Sequence, residues 1–443
     1  MKIIIKVKTI LTVLTCLILF GTGYAQTFDK AKLDLLFDRL SEKNKGMGSI
    51  TLAKEGKIIY TRSFGYGQIT ETMKKPLTKD SKFRVASITK TYTAVMIFQL
   101  VEEGKLKLSD HLDIFFPHVP NASKITVEQI LNHRSGIPEL TVEAGWRAQP
   151  KTHEEILTVI EKGKPSFEPG SEHAYSNTGY VLLGYILEKV DGKPYQEILK
   201  QRITDKVGLK STYMGIGNTN VDKNESLSYG YLGAWKEMPE MDLSIPAGAG
   251  AIISTPTDMC QFIHALFEGE LISETSLDKM KTMRDGEGMG MEPFSFAGHT
   301  LYGHTGGSNV AGSWLAYEPG EKLAMAYTTN AKIYPVKDII AGVFDIYWNK
   351  SYDVPTFEAL AVNQELLDQY VGVYVVAGTP AKMTVKKIGS TIAIENNGST
   401  IPLEATASNK FNIGPGVTIE FDIAKKQMTI KRPQGERTFT KEN

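Results

Sequence analysis

The stretch FRVASITKTYTAVMIFQLVEEGK, residues 83–105, places Ser87 and Lys90 three residues apart at the head of an otherwise apolar segment. The segment is apolar on nearly every side until Gly104, which predicts a buried central helix. Residues three apart share a helix face, so we expect Lys90 to point at the Ser87 hydroxyl. Desolvation lowers the pKa of a lysine and makes its neutral amine available as a base for a serine nucleophile.

Two further motifs follow along the chain. Tyr175 and Asn177 form a Tyr-x-Asn motif on a loop just before an apolar helical pattern that ends at Gly192. Tyr175 as a core aromatic and Asn177 as a helix N-cap would explain this motif without chemistry. The third motif, GHTGGS, contains His304, Thr305, Gly306 and Gly307 at a predicted strand start. Glycine there would let a substrate lie against the strand, although a β-bulge would also explain it.

None of these spacings is informative alone. The Ser-x-x-Lys spacing recurs at Ser276 and Lys279, in a polar stretch that we expect to be solvated surface. In this order, however, Ser-x-x-Lys, Tyr-x-Asn and His-Thr-Gly resemble the penicillin-recognising serine hydrolases. The resemblance covers about residues 28–350. It is to the branch that contains class C β-lactamases, D-alanyl-D-alanine carboxypeptidases, D-aminopeptidases and esterases.

The resemblance implies a fold and a set of catalytic residues. The fold is α/β, more strictly α+β: an antiparallel sheet flanked by helices, with a helical subdomain and the site between them. Ser87 matches the acylated nucleophile, and Lys90 the amine that helps to deprotonate it. Tyr175 matches the group that moves a proton between nucleophile and leaving group. No metal or other cofactor is implied.

The resemblance also implies how substrate is held. Asn177 matches a side chain that binds the substrate amide, and the backbone N–H of Gly307 completes an oxyanion hole with that of Ser87. His304 stands where class C β-lactamases carry lysine. Because a histidine with an ordinary pKa near ~6.5 is largely neutral at pH 7, we expect poor turnover of substrates that need a fixed countercharge. We also expect activity on carboxylate-bearing substrates to rise as pH falls toward that pKa.

The two ends of the chain differ from the hydrolase region in their pattern of apolar and polar residues. Residues 1–25 combine basic residues, an apolar run and the small-residue sequence GTGYA, which predicts a cleaved signal peptide and an exported protein, periplasmic or secreted. Residues 26–350 form the predicted hydrolase domain, and residues 351–364 a linker. The short alternating runs of residues 365–443 predict a small all-β, barrel-like domain. Similar domains in relatives shape the cleft or mediate assembly, which allows a homo-oligomer formed through this domain.

Charge and hydropathy give no indication of a nucleic-acid partner or of a membrane-spanning segment in the mature chain. The chain has 50 basic and 50 acidic residues, interspersed, so nothing points to nucleic acid as a partner. After signal cleavage no apolar stretch is long enough to cross a membrane. Cys260 would then be the sole cysteine, and its apolar helical context predicts a core residue.

These patterns favour an exported serine hydrolase acting on a small-molecule or peptide substrate. A peptide containing a D-amino acid, as for a D-Ala-D-Ala carboxypeptidase or a D-aminopeptidase, is the preferred interpretation. A β-lactamase and an esterase are the alternatives. A non-catalytic penicillin-binding sensor or assembly scaffold is an alternative of a different class, and the intact three motifs argue against it.

Overall fold

The computed structural model describes residues 28–140, 149–231, 233–308, 310–358, 360–376, 378–379, 382–396, 399–414, 417–432 and 435–442. The predicted signal peptide, residues 1–25, lies outside these residues. Within them, no helix combines the length and the apolar character that crossing a membrane requires.

The α-helices are Lys30–Glu42 (α1), Thr89–Glu102 (α2), Val127–Leu131 (α3), His153–Glu161 (α4), Asn177–Asp191 (α5), Tyr195–Leu199 (α6), Asp205–Val207 (α7), Ala247–Gly250 (α8), Pro256–Phe267 (α9), Glu274–Lys281 (α10), Val336–Tyr347 (α11) and Gln364–Tyr370 (α12).

The strands fall into two groups along the chain. The first group is Gly46–Lys54 (β1), Lys57–Phe64 (β2), Tyr66–Ile69 (β3), Lys74–Pro76 (β4), Phe83–Arg84 (β5), Tyr213–Met214 (β6), Tyr229–Tyr231 (β7), Trp235–Glu237 (β8), Ile252–Ser254 (β9), Glu292–Phe296 (β10), His299–Gly307 (β11), Gly312–Glu318 (β12) and Leu323–Lys332 (β13). The second is Gly372–Val375 (β14), Lys382–Ile388 (β15), Thr391–Asn396 (β16), Ser399–Pro402 (β17), Glu404–Ala407 (β18), Lys410–Gly414 (β19), Val417–Asp422 (β20), Gln427–Arg432 (β21) and Gly435–Lys441 (β22).

A six-stranded antiparallel sheet, ordered β10-β11-β12-β13-β1-β2, forms the centre of the first unit. Strand β1 alternates its side chains, so Ile50 and Leu52 pack with α1 and α11 on one face of the sheet. Ala53 faces the other way, toward the core that contains α2, α5 and α9. The chain between β5 and β9 supplies most of the helical region. This arrangement confirms the predicted fold class.

Helix α2 is the buried central helix that the sequence predicts. All residues from Thr89 to Leu100 are buried, and Gly104 adopts a left-handed conformation (φ 69°) just past the helix end. Cys260 on α9 is a buried free cysteine, as predicted. The expectation for Ser276 was wrong. It lies buried on α10 and donates a hydrogen bond to Glu102 (2.6 Å), because the amphipathic α10 turns this face toward α2.

The C-terminal strands form one nine-stranded antiparallel sheet, ordered β17-β16-β15-β14-β22-β21-β20-β19-β18. Its two edge strands, β17 and β18, are consecutive in the chain and are joined by Leu403 alone, so the sheet curls into a nearly closed barrel. Its core, which includes Leu367, Phe411 and Phe421, contains no residue of the other two large cores. The predicted barrel-like domain is therefore confirmed as a fold.

The barrel touches the first unit through a few polar contacts. Lys45 forms an ion pair with Glu404 of the barrel. The Arg39 guanidinium in turn holds the linker, by donating to the carbonyl of Val354 (2.5 Å). A cavity of about 680 Å³ lies between the units, with Phe357 among its lining residues. Because the core of the barrel is its own, we propose that residues 365–443 fold as a separate domain.

A chain that ends at Lys350 tests this proposed boundary. We expect it to remain monodisperse and to react at Ser87 with a fluorescent phosphonate, because no buried residue of the two cores of the first unit is removed. Of the described residues that are removed, only Tyr352, Val354 and Phe357, which precede the barrel, pack against one of these cores. Size-exclusion chromatography and labelling measure the two properties, with full-length protein as the control. Aggregation of the shortened chain would show instead that the barrel covers essential apolar surface.

Candidate active site

Ser87 lies on a single 3₁₀ turn at the head of α2. The backbone just before it is held on two sides: the Val85 N–H donates to the Ile252 carbonyl (3.0 Å), and the Val85 carbonyl accepts from the Ser313 hydroxyl (2.7 Å). Ala86 has φ 47°, a left-handed conformation that costs a residue with a Cβ about 1 kcal/mol. The surrounding contacts therefore hold Ser87 in a strained and well-fixed turn.

Lys90 is fully buried one turn further along α2, and its amine makes three hydrogen bonds. The Nζ atom lies 3.0 Å from Ser87 Oγ, 2.6 Å from Asn177 Oδ1 and 2.9 Å from the Ala249 carbonyl oxygen. In its neutral form the amine can donate to Asn177 and Ala249 and accept the Ser87 proton with its lone pair. The arrangement matches what a general base for Ser87 requires.

Burial also sets the charge of this amine. Desolvation lowers the pKa of Lys90 from 10.5 to about 7, and the carboxylates of Glu139, Glu292 and Glu287 oppose that decrease. Near neutral pH a large fraction of Lys90 is therefore uncharged, whereas an exposed lysine would be almost wholly protonated.

Tyr175 and Asn177 meet this pair from the start of α5. Ser176, not Asn177, is the N-cap: its hydroxyl accepts from the N–H of Gly179 (3.2 Å). The interpretation of Asn177 as an N-cap was therefore wrong, and its side chain is left to bind Lys90. The Lys90 Nζ lies 4.8 Å from the centre of the Tyr175 ring, a cation–π distance. Burial raises the pKa of Tyr175, and a hydrogen bond with Ser87 partly opposes that rise.

The four residues of the third motif have different surroundings. Gly307 lines the same cavity as Ser87, whereas Thr305 donates its hydroxyl to Glu292 (3.1 Å). A Cβ on Gly306 would lie 2.3 Å from the Val85 carbonyl oxygen, so glycine is required for β11 to approach the turn that carries Ser87. His304 is 3 % exposed, with Nδ1 2.6 Å from the Thr305 carbonyl oxygen.

The burial of His304 changes the expected pH dependence. Desolvation and the nearby Lys90 charge lower the pKa of His304 to about 4, well under the value of about 6.5 assumed from the sequence. His304 is therefore neutral at every pH between 6 and 8. The lowered pKa argues against the expectation that protonation of His304 aids carboxylate-bearing substrates in that range. The prediction of a strand start was wrong, because the motif lies at the end of β11, and the sequence pattern gave no sign that His304 is buried.

The cavity in front of Ser87 has a volume of about 590 Å³. Its described lining includes two charged residues that sequence reasoning missed, Arg84 and Glu240. The Arg84 guanidinium donates to the Met241 carbonyl (2.5 Å), and Glu240 accepts from Ser308 (3.2 Å). A third missed residue, Glu139, accepts from the backbone N–H of Asn177 (2.5 Å). No sequence motif identifies Arg84, Glu240 or Glu139, since they lie on loops or on a two-residue strand.

Within the described residues, no cluster of three or more metal-binding side chains is placed to hold an ion.

A family model, a related sequence and solved structures all show similarity to the same group of proteins. Residues 33–342 match the beta-lactamase family model. A penicillin-binding protein of Bacillus subtilis (strain 168) is 28% identical over 387 residues, which cover 80% of this chain and 85% of that protein. The structure of D-amino acid amidase from Ochrobactrum anthropi SV3 has a TM-score of 0.65 and 27% identity, covering 72% of this chain and 98% of that one. The octameric penicillin-binding protein homologue from Pyrococcus abyssi has a TM-score of 0.64 and 25% identity, covering 93% and 100%.

The depressed pKa of Lys90 predicts a pH dependence of Ser87 reactivity. Since the neutral amine is the form that accepts a proton, the second-order rate of phosphonate labelling should rise about tenfold per pH unit below pH 7 and level off above it. Labelling rates measured from pH 5 to 9 test this. The His304→Gln protein is the control and should show the same midpoint. A midpoint that disappears in this variant would assign the titration to the histidine.

The depressed pKa of His304 predicts a flat specificity profile. The ratio of kcat/KM for a D-alanyl-D-alanine peptide to that for its C-terminal amide should be constant between pH 6 and 8, because His304 changes charge near pH 4. The ratio cancels any titration common to both substrates. A ratio that rises steadily as pH falls from 8 to 6 in the unmutated protein, and not in His304→Gln, would contradict the buried, neutral histidine.

Proposed function

Because the chain belongs to the beta-lactamase family of penicillin-recognising serine hydrolases, we propose that it cleaves a peptide or amide containing a D-amino acid through an acyl-enzyme on Ser87. The observation that carries the proposal is the contact of the buried Lys90 amine with the Ser87 hydroxyl, 3.0 Å apart. The similarity to a D-amino acid amidase supports the D-amino-acid substrate.

In the proposed acylation, neutral Lys90 takes the hydroxyl proton as Ser87 Oγ attacks the substrate carbonyl carbon. The backbone N–H groups of Ser87 and Gly307 bind the oxyanion that forms. Tyr175 delivers its proton to the leaving amine as the carbon–nitrogen bond breaks, and the Lys90 ammonium passes the proton that it took from Ser87 on to Tyr175, which restores both groups. Asn177 binds the substrate amide. A water molecule then attacks the acyl-enzyme and releases the acid, with the proton returned to Ser87 Oγ.

The charges near the site support neutral amides over β-lactams. His304 is uncharged at neutral pH, so it offers no permanent cation to a β-lactam carboxylate. Arg84, the cation that lines the cavity among the described residues, already donates to the Met241 carbonyl and is partly desolvated. Export to the periplasm or the medium, and assembly through the barrel, are further parts of this proposal.

The catalytic assignment is tested by single substitutions. Ser87→Ala should abolish hydrolysis, because it removes the nucleophile. Tyr175→Phe removes only a hydroxyl and should lower kcat by roughly 10²–10⁴, the range for a lost general acid–base group. Both proteins should keep the melting temperature of the parent within a few degrees. Retention of more than a few per cent of activity in Ser87→Ala would refute the nucleophile assignment.

The substrate assignment needs a matched panel. We expect kcat/KM for a D-amino acid amide to exceed that for its L-enantiomer, for a short p-nitrophenyl ester and for nitrocefin, each measured with purified protein at pH 7.5. Ser87→Ala protein controls for background hydrolysis. Efficient turnover of nitrocefin with weak turnover of the D-amide would replace this assignment by the β-lactamase alternative.

A further inference from the structure

His133 lies on the loop after α3 and contacts Tyr175 and both of its neighbours in the chain, Ala174 and Ser176. Its backbone carbonyl accepts from the N–H of Ala174 (3.0 Å), and its Nδ1 accepts from the N–H of Ser176 (3.1 Å). Its imidazole ring stacks on the Tyr175 ring, with centroids 4.5 Å apart and planes 29° apart. One residue thus binds the peptide groups before and after Tyr175 and also packs against its side chain.

His133 holds this position in a strained conformation. Its φ is 58°, in the left-handed region, which residues with a Cβ seldom adopt; asparagine, aspartate and histidine are the most frequent of those that do. Its side chain is nonetheless 3 % exposed and makes specific contacts. Strained, over-determined backbone of this kind is concentrated at functional sites. Asparagine and aspartate also suit this backbone conformation, so the contact of the imidazole ring with Tyr175 is what distinguishes histidine here.

The hydrogen bond also fixes the tautomer of the ring. Since Nδ1 accepts from Ser176, the proton of the neutral ring is on Nε2, which faces the Glu287 carboxylate at 3.7 Å. Burial and the nearby Lys90 charge hold the pKa of His133 well below its usual range. His173 also approaches Glu287, at 3.4 Å, but meets the His133 ring edge-on.

We propose that His133 is a positioning residue that acts through Tyr175, holding the phenol against Ser87. The inference rests on the proposed function, in which the Tyr175 hydroxyl moves a proton. The backbone hydrogen bonds fix the turn before α5, and the ring contact fixes the phenol plane.

Two substitutions separate the contacts that His133 makes. His133→Asn keeps an acceptor near the Ser176 N–H and suits the same backbone conformation, but removes the ring. His133→Phe keeps a ring against Tyr175 and removes the acceptor. His173→Asn is the matched control, since it changes a neighbouring histidine that also faces Glu287. For each protein we would measure the melting temperature, kcat and KM for a D-amino acid amide, and phosphonate labelling of Ser87.

We expect His133→Asn to remain folded, with kcat about tenfold to a hundredfold lower and KM little changed, as for a misplaced catalytic group. His133→Phe should also lose kcat, and His173→Asn should not. Combined with Tyr175→Phe, either His133 change should cost little more, because both act through one hydroxyl. Ser87 should still be labelled in His133→Asn.

The possible results distinguish failure of the positioning role of His133 from failure of the proposed catalytic role of Tyr175. If Tyr175→Phe alone leaves kcat unchanged, the proposed role of Tyr175 fails. If Tyr175→Phe is impaired but both His133 variants are fully active, or their losses multiply with that of Tyr175→Phe, the positioning role is refuted. Unfolding of both His133 variants would likewise overturn it, since it would show a purely structural role.

Discussion

A primary amine in the apolar interior is the constraint on which the site depends. Lys90 is fully buried, and the desolvation of an ammonium costs several kcal/mol unless hydrogen bonds compensate. Its three partners come from the turn before α2, the start of α5 and helix α8. A shift of any one of these elements would leave a buried donor or acceptor unpaired, so the amine requires all three to meet at one point.

The central sheet completes the site by backbone contact. Strand β11 approaches the turn that carries Ser87 so closely that a Cβ on Gly306 would lie 3.1 Å from the Ser87 nitrogen. The Ser313 hydroxyl, on the adjacent β12, donates to the Val85 carbonyl and so holds the same turn. The glycine of the third motif is thus a packing requirement of the fold as well as a feature of the cleft. Contacts from both the sheet and the helical region therefore fix the position of Ser87.

Much of this arrangement follows from local sequence patterns. The apolar run of α2 and the three-residue spacing predicted that Lys90 would be buried beside Ser87, because helix periodicity is a strong signal. Loop residues such as Glu139 and Glu240 were not predicted, since their places depend on how distant segments fold together. The pKa of His304 was missed for the same reason: the motif identifies the residue, but only tertiary packing removes its water. Ser276 shows that a polar stretch can still bury one helix face.

The strained alanine beside Ser87 has a consequence for protein engineering. Ala86 is left-handed (φ 47°), and glycine at that position would be free of the steric cost. A library screened for heat tolerance alone will therefore reward glycine there, since natural sequences are rarely at their stability optimum. The same replacement loosens the turn that aims the serine hydroxyl. A selection for thermal stability must therefore measure turnover in the same round, because otherwise it will enrich variants that are stable but inactive.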